Sequence, residues 1–153
     1  KPYGIKALSS LSIEKSYRLI PRELSIEYSA YESGLDRFVQ PNKGQFVGRD
    51  ALVAGRAKGL AWRFVTMEVK GVTDEGSDVR GSEPIHDKAG KLVGRATNGG
   101  YGWRSAKSLA LAMVRPEHAA AGTELDVTIL GKKLRAVIVA ESPWDPENAR
   151  LRG

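Results

Sequence analysis

Few side chains in this sequence could bind a transition metal or act as an activated nucleophile. There is no cysteine, which excludes thiolate zinc sites, iron–sulfur ligation, disulfides and a cysteine nucleophile. The two histidines, His86 and His118, are far apart and have neither HxxxH nor HxH spacing. No Gly-x-Ser-x-Gly motif of a serine hydrolase is present. We therefore expect no metal site.

Arg80 is the residue whose type and place most suggest binding. It lies in a polar stretch, residues 76–82, that we predict to be a loop between two strands. Loops often carry binding residues, and a guanidinium matches a carboxylate with two parallel donors. The alternative is a solvated loop arginine. Glu14, Glu27 and Glu32 could serve as general acids or bases, but their spacing gives no pairing geometry, so we interpret them as structural carboxylates.

The densest glycine stretch is Gly99-Gly100-Tyr101-Gly102. It lacks the order of a dinucleotide-binding loop and the Lys-Ser/Thr of a P-loop. We interpret it as a turn that brings the backbone close to a neighbour or a ligand. The formal net charge of +6 comes without any long basic run. It is compatible with a small anionic ligand, and it leaves RNA binding through a basic hairpin at 132–135 as a weaker alternative.

The elements that must position these residues differ between the two halves of the chain. With 153 residues, 41% of them hydrophobic, the chain suits one compact domain or one domain plus part of another. In the first half we predict a helix over residues 7–14, with Leu8, Leu11 and Ile5 on one stripe. We also predict a strand-like segment at 35–39, a turn at 41–44 and a second helix at 50–58 that Gly59 ends.

The second half has the period-2 pattern of strands. The alternation changes phase beside Phe64, which predicts a bulge there. An Asp-x-x-Gly sequence predicts the turn of a hairpin over residues 85–93. Further strands are predicted at 108–114, 125–129 and 134–139. Short strands with turns about every 8 to 12 residues indicate a small antiparallel barrel or sandwich. We predict that residues from about 60 to 145 form a closed or nearly closed barrel.

Seven spaced segments resemble motifs of the glycine-cleavage T-protein family, and they follow one another in the same order as in that family. They are SLSIEKSYR (10–18), YESGLDRFV (31–39), KGQFVGRDAL (43–52), RGSEPI (80–85), VGRATNGG (93–100), SLALA (108–112) and SPWDPEN (142–148). The variant is most similar to the folate-binding half of dimethylglycine and sarcosine dehydrogenases. A related iron–sulfur-repair and tRNA-modification family has a cysteine where Gln45 stands, which argues against that relative.

The resemblance implies an α+β fold in two parts. Residues 1–58 would be the C-terminal piece of a folate-binding domain, and residues 59–153 a small antiparallel β barrel. The family transfers a one-carbon unit from a substrate nitrogen to tetrahydrofolate. Its assisting acid would lie upstream of Lys1, so we expect no catalytic residue here and no activity from this chain alone. FAD would be needed only if a flavin domain precedes it.

The resemblance also implies four residues of a folate site. Arg80 matches an arginine that approaches the folate, whose glutamate tail suits a guanidinium. Ser12 stands where the T-protein has a pocket arginine, which suggests altered substrate or weakened folate affinity. Tyr101 and Trp103, in a loop after the glycine turn, would cover the site; the alternative for both is packing in the core.

The expected partners are a folate, a methylated amine and upstream domains of the same parent chain, without nucleic acid or membrane. Absent cysteine and Asn-x-Ser/Thr acceptors favour a cytoplasmic location. The alternative function is a non-catalytic barrel that closes a folate site or docks a partner.

Overall fold

The strand pattern of the second half builds a closed antiparallel barrel, as predicted. The structure is a computed structural model that describes residues 2–72 and 78–153. Its strands are β1 (Arg63–Val69), β2 (Pro84–His86), β3 (Leu92–Gly102), β4 (Lys107–Val114), β5 (Glu124–Ile129) and β6 (Lys132–Val139). They follow the order β1-β4-β3-β2-β5-β6 around the barrel, and β6 pairs with β1 to close it.

β4 is the strand around which the core is built, because both of its faces are buried. Its inward side chains are small, Ala110, Ala112 and Val114, and they share the barrel interior with residues of the other strands. Its outward side chains Leu109, Leu111 and Met113 form a second apolar cluster outside the barrel, beneath the N-terminal segment. Burial on both faces explains why this strand is a continuous apolar run and does not alternate.

The bulge predicted near Phe64 does not occur, and the same outer cluster explains why. β1 pairs with β4 without a register shift, from Arg63 opposite Val114 to Val69 opposite Ser108. Val65 points into the barrel, whereas Phe64 packs in the outer cluster, so neighbouring residues are both apolar without any bulge. The prediction was wrong because it assumed that only one face of β1 is covered. A register shift does occur in β2.

The two predicted helices are confirmed as α1 (Ile5–Glu14) and α2 (Arg49–Lys58). Gly59, at a φ of 94°, ends α2 as expected. A turn follows Gln40, since the Lys43 amide donates to its carbonyl oxygen at 3.3 Å. A short α3 (Ala149–Arg152) follows the barrel. In the described ranges, 2–72 and 78–153, no helix has the length and apolarity needed to cross a membrane.

The strand predicted at 35–39 is wrong. Residues Asp36–Phe38 form a 3-10 turn instead. The amide of Phe38 donates to the carbonyl oxygen of Leu35 at 2.9 Å, and the amide of Val39 donates to that of Asp36 at 3.1 Å. Apolar and aromatic residues favour a strand only where a neighbouring strand supplies hydrogen-bonding partners, and each barrel strand is already paired on both sides.

α1 turns its apolar stripe outward. Ile5, Leu8 and Leu11 are 75%, 44% and 53% exposed, whereas Ser10, Ile13 and Glu14 are buried against the barrel. The helix packs against β3 and β4. Its buried side is therefore mixed, with one apolar residue and two polar residues that need hydrogen-bond partners.

The predicted hairpins are confirmed. In the 85–93 hairpin, the Gly90 amide donates to the Asp87 carbonyl oxygen at 3.0 Å. The glycine stretch 99–102, however, belongs to β3 and is not a turn. The predicted close approach does occur there, because a Cβ on Gly99 would lie 2.5 Å from both the Cβ and the carbonyl oxygen of Val79. Glycine at this position lets the loop before β2 lie directly on the strand.

This contact predicts opposite outcomes for neighbouring glycines. Gly99→Ala should lower the free energy of unfolding by about 1–3 kcal/mol, because the new methyl group would displace Val79. Gly100→Ala is the matched control, since a Cβ there meets nothing within 4 Å, and it should be neutral or slightly stabilising. Urea denaturation of the three proteins measures both. Equal stability of the two variants would show that Val79 does not press on Gly99.

Candidate anion-binding site

A cavity of about 330 Å³ lies between α1, the loop before β2 and the glycine-rich end of β3. Its lining combines polar residues and glycines with an apolar part that includes Ile5, Val79 and Tyr101. The lining residues are Ile5, Lys6, Ser9, Ser10, Arg22, Asp78, Val79, Arg80, Asn98, Gly99, Gly100 and Tyr101. Such a lining suits a polar ligand more than an apolar one.

The charges around the cavity are mainly positive. The described lining residues include three cations, Lys6, Arg22 and Arg80, and one carboxylate, Asp78. One oxygen of that carboxylate accepts a hydrogen bond from the Ser108 hydroxyl at 2.8 Å. Among the described residues, the Arg80 guanidinium has no hydrogen-bond or ion-pair partner. The cavity therefore offers uncompensated donors to an anion.

The loop that carries Arg80 is held at several points. Val79 is buried, with 1% of its surface exposed, and packs on Gly99. The Glu83 carboxylate accepts hydrogen bonds from the amides of Arg80 and Gly81, both at 2.8 Å. The amide of Ser82 donates to the Ala96 carbonyl oxygen at 2.7 Å. A loop fixed in this way presents the Arg80 side chain from a defined backbone position.

The cavity brings together two of the four predicted site residues. Arg80 and Tyr101 line it. Ser12 lies outside the lining, and its carbonyl oxygen accepts hydrogen bonds from the amides of Lys15 at 3.2 Å and Tyr17 at 3.0 Å. Trp103 is 66% exposed and also lies outside, with its ring edge-on to Tyr101 at 5.0 Å between centroids. Tyr101 belongs to β3, not to a loop. The binding roles of all four residues stay predictions.

Arg22 is a lining residue that the sequence analysis missed. Its Nη1 atom donates to the carbonyl oxygen of Thr97 at 2.9 Å, to Oδ1 of Asn98 at 2.7 Å and to the carbonyl oxygen of Arg80 at 3.3 Å. These partners lie 58 to 76 positions away in the sequence. No local sequence motif predicts such a contact. The one local indication of a fixed backbone is Pro21, which lies in the turn closed by the hydrogen bond from the Arg22 amide to the Leu19 carbonyl oxygen.

The buried carboxylate of Glu14 holds the turn after β3. Its Oε1 atom accepts hydrogen bonds from the amides of Arg104 at 2.8 Å and Ser105 at 2.7 Å, and from the Ser105 hydroxyl at 3.0 Å. The neighbouring Ser10 hydroxyl donates to the Tyr101 carbonyl oxygen at 2.9 Å. Glu14 is therefore structural, and with Ser10 it fixes α1 against the end of β3.

The fully buried carboxylate of Glu23 holds the segment that carries Arg22. One of its oxygens accepts a hydrogen bond from the Leu19 amide at 2.8 Å, and the other accepts one from the Thr97 hydroxyl. Sequence reasoning did not single out Glu23. Its partner on β3 is the residue whose carbonyl oxygen Arg22 also contacts.

Glu27 and Glu32 are structural as well. Glu27 pairs with Arg95. Glu32 accepts hydrogen bonds through Oε2 from the Ser29 amide and hydroxyl at 2.8 and 2.9 Å, and through Oε1 from the amides of Ala61 and Trp62 at 3.1 Å. Burial acts to raise the pKa of this carboxyl, but the Ser29, Ala61 and Trp62 donors outweigh it and hold the pKa below its ordinary value.

The basic hairpin of β5 and β6 is largely neutralised by its own acidic residues. Arg135 donates to Glu124 at 2.9 Å and to Asp126 at 3.0 Å, and Lys133 lies 3.9 Å from Asp126. This pairing disfavours the RNA-binding alternative, which needs free cations along one face. Within the described part of the chain, no cluster of three or more His, Cys, Asp or Glu side chains could hold a metal ion.

Comparison with protein families places the barrel in a known group of sequences. The family model of the glycine cleavage T-protein C-terminal barrel domain matches residues 63–145. A solved structure of the glycine cleavage system aminomethyltransferase T from Bartonella henselae superposes with a TM-score of 0.83 at 22% identity. It aligns with 92% of this chain and 38% of that one. At this identity the likeness shows a shared fold.

Curated sequences extend the similarity beyond the barrel. The mitochondrial dimethylglycine dehydrogenase of Rattus norvegicus is 37% identical over 98% of this chain, which spans only 17% of that protein. The Homo sapiens protein of the same name is 37% identical over 91% of the chain. The aminomethyltransferase of Alkaliphilus oremlandii is 32% identical over 92% of the chain, which spans 37% of its length.

The lowered pKa of Glu32 predicts a pH-dependent contribution to stability. The ionised carboxylate stabilises the fold above its ordinary pKa of 4.5, and this contribution is lost as the pH falls through the lower pKa of the folded state. Glu32→Gln should therefore lower the free energy of unfolding by about 1–2 kcal/mol at neutral pH, and the deficit should shrink below pH 4.5. Exposed Glu147→Gln is the control. A deficit that is constant from pH 7 to 3 in denaturant titrations would contradict the assignment.

Proposed function

The chain belongs to the glycine cleavage T-protein family, and from this premise we propose that it is the C-terminal portion of a folate-dependent aminomethyl- or methyltransferase. Within that enzyme the cavity between α1 and β3 would bind the carboxylate-bearing end of tetrahydrofolate. We propose the boundary between its two parts at residues 58 and 59. The matched family model, residues 63–145, lies inside the second part.

The observation that carries this proposal is the state of Arg80. Arg80 lines the cavity from a fixed loop and is exposed, and among the described residues its guanidinium has no partner of its own. The donors of Lys6 and Arg80 fit the glutamate carboxylates of a folate.

The size of the cavity limits what it would hold. At about 330 Å³ it lies at the small end of ligand sites, which span about 300–1,000 Å³. It would therefore take the carboxylate end and part of the adjoining ring, with Tyr101 beside them. Ser12 and Trp103 would contribute only from outside this cavity. The pterin and the reacting nitrogen would lie in the portion of the site formed by other segments of the parent protein.

In this arrangement the chain binds and orients, and chemistry occurs elsewhere. Tetrahydrofolate, when bound, supplies the nitrogen that accepts a one-carbon unit. Arg80 would hold the folate tail and so limit where the other end can lie, which lowers the entropic cost of bringing the two reactants together. Glu14, Glu23 and Glu32 are committed to backbone and hydroxyl donors, and we assign them no proton transfer.

We further propose that the parent protein is a flavin-linked demethylating dehydrogenase that acts on dimethylglycine or sarcosine. The 37% identity with proteins named dimethylglycine dehydrogenase, against 32% with an aminomethyltransferase, supports this branch. FAD would belong to an upstream domain, since nothing in this chain is assigned to it. For location we propose the cytoplasm, although the mammalian relatives are named as mitochondrial proteins.

A non-catalytic role of the barrel is the second candidate. The observation that favours it is the outward apolar stripe of α1, with Ile5, Leu8 and Leu11 all exposed. Such a stripe suits a surface that packs on another domain, and the barrel would then close a folate site built by its neighbour.

Arg80 is the residue on which the folate proposal is tested. In the full-length protein, Arg80→Ala should raise the dissociation constant for tetrahydrofolate about tenfold to a hundredfold, the loss of a charge-assisted pair worth roughly 1.5–3 kcal/mol. Arg80→Lys should recover part of this, because an ammonium cannot supply two parallel donors. Calorimetric titration measures all three constants.

The control for this titration is Arg37→Ala, an exposed arginine outside the cavity. It removes the same charge and should leave the dissociation constant unchanged. Thermal stability should change little in either variant, since Arg80 supports no core residue. Equal dissociation constants in wild type and all variants would remove Arg80 from the folate site.

The assignment of chemistry to other segments predicts that the 153-residue chain alone does not catalyse transfer. Incubation with tetrahydrofolate, dimethylglycine or sarcosine and an electron acceptor should yield no methylenetetrahydrofolate above a buffer blank. The full-length protein with FAD, which would take the two electrons of N-methyl oxidation, provides the positive control. The physical reason is that the isolated chain has no assigned oxidant and that Asp78, the one carboxylate among the described lining residues, is already bonded to Ser108. Turnover by the isolated chain would show that a catalytic group lies within it.

A further inference from the structure

Arg22 joins two parts of the cavity wall that are otherwise separate segments. Its Nη1 atom contacts the backbone of the Arg80 loop at 3.3 Å and the strand β3 at Thr97 and Asn98, at 2.9 and 2.7 Å. The contact on the loop is the carbonyl oxygen of Arg80 itself. A movement of Arg22 would therefore remove one of the contacts that hold the backbone of Arg80, whose guanidinium has no partner among the described residues.

The backbone of Arg22 is itself fixed. Its amide donates to the Leu19 carbonyl oxygen at 2.9 Å. The next residue, Glu23, is fully buried and accepts hydrogen bonds from the Leu19 amide and the Thr97 hydroxyl. Arg22 thus reaches the loop from an anchored position, and its hydrogen bonds transmit that anchoring to Arg80.

Arg22 also lines two cavities. Besides the cavity that Arg80 lines, it lines a second one of about 340 Å³, together with Ser25, Ile26 and Arg95. Truncation to alanine would remove side-chain volume from both linings and so change ligand access as well as hydrogen bonding. A test must therefore keep the bulk of the side chain and remove only its donors, which methionine does.

We propose that Arg22 is a positioning residue, which fixes the Arg80 loop on β3 and so sets the direction from which Arg80 meets an anionic carboxylate ligand. This inference rests on the proposed function for the identity of the ligand. The fixing of the loop does not depend on a ligand, because the hydrogen bonds that hold it lie within the protein. The two ideas can therefore fail separately.

The first measurement is amide hydrogen exchange in the full-length protein without ligand. Arg22→Met should speed exchange of the Arg80, Gly81 and Ser82 amides about tenfold, because the loop loses its tie to β3. Arg22→Lys, whose ammonium has three donors, should recover part of the protection. Arg37→Met is the charge-matched control and should leave these amides unchanged.

Two results of this experiment would overturn the proposal. Unchanged exchange of the loop in Arg22→Met would show that the loop is held without Arg22. An equal increase at Val127 of β5, on another part of the barrel, would show a general loss of stability and not a local positioning role.

The second measurement is a double-mutant cycle on tetrahydrofolate binding. Arg22→Met alone should raise the dissociation constant about five- to tenfold, and it should have almost no effect in an Arg80→Met background, because it acts through Arg80. Additive losses would overturn the positioning role and make Arg22 a direct ligand contact. If the wild-type protein does not bind tetrahydrofolate, the proposed function fails, and hydrogen exchange still decides the role of Arg22.

Discussion

The arrangement of the site depends on two buried carboxylates that bind the N-terminal segment to the outside of the barrel. Glu14 satisfies the amides of the turn after β3, and Glu23 satisfies the Thr97 hydroxyl within β3. A carboxylate removed from water is costly unless its oxygens are bonded, so each defines one position of the chain against the strand. Between these two attachment points, α1 and Arg22 lie beside β3, and the cavity is the space they leave.

Local signals in the sequence identify most elements of the fold. The Asp87-to-Gly90 turn, the alternation of Leu125, Val127 and Ile129, and the terminal Gly59 each depend on residues a few positions apart. The phase change at Phe64 was misread because its cause is distant: the N-terminal segment covers the outer face of β1. The strand predicted at 35–39 failed for a related reason, since its pattern says nothing about whether a pairing strand is available.

The site itself was only partly accessible to sequence reasoning. Arg80 was predicted from its residue type and its loop, and again from the resemblance to a family, whereas Tyr101 was predicted from its place beside the glycine stretch. Arg22 and Glu23 could not be predicted in that way, because both act through hydrogen bonds with Thr97, which is 75 and 74 positions away in the sequence. The net charge was also uninformative about location. Lys133 and Arg135 of the β5–β6 hairpin are ion-paired, whereas Arg80, beside β3, has no ion pair among the described residues.

Closure of the barrel limits how this protein can meet another polypeptide. Each of the six strands has a hydrogen-bonded neighbour on both sides over at least part of its length, so among the described residues no strand is an open edge along its whole length. Addition of a further strand, the usual route from an open edge to intermolecular aggregation, is therefore disfavoured. Recognition would instead rely mainly on side chains of the helices and loops.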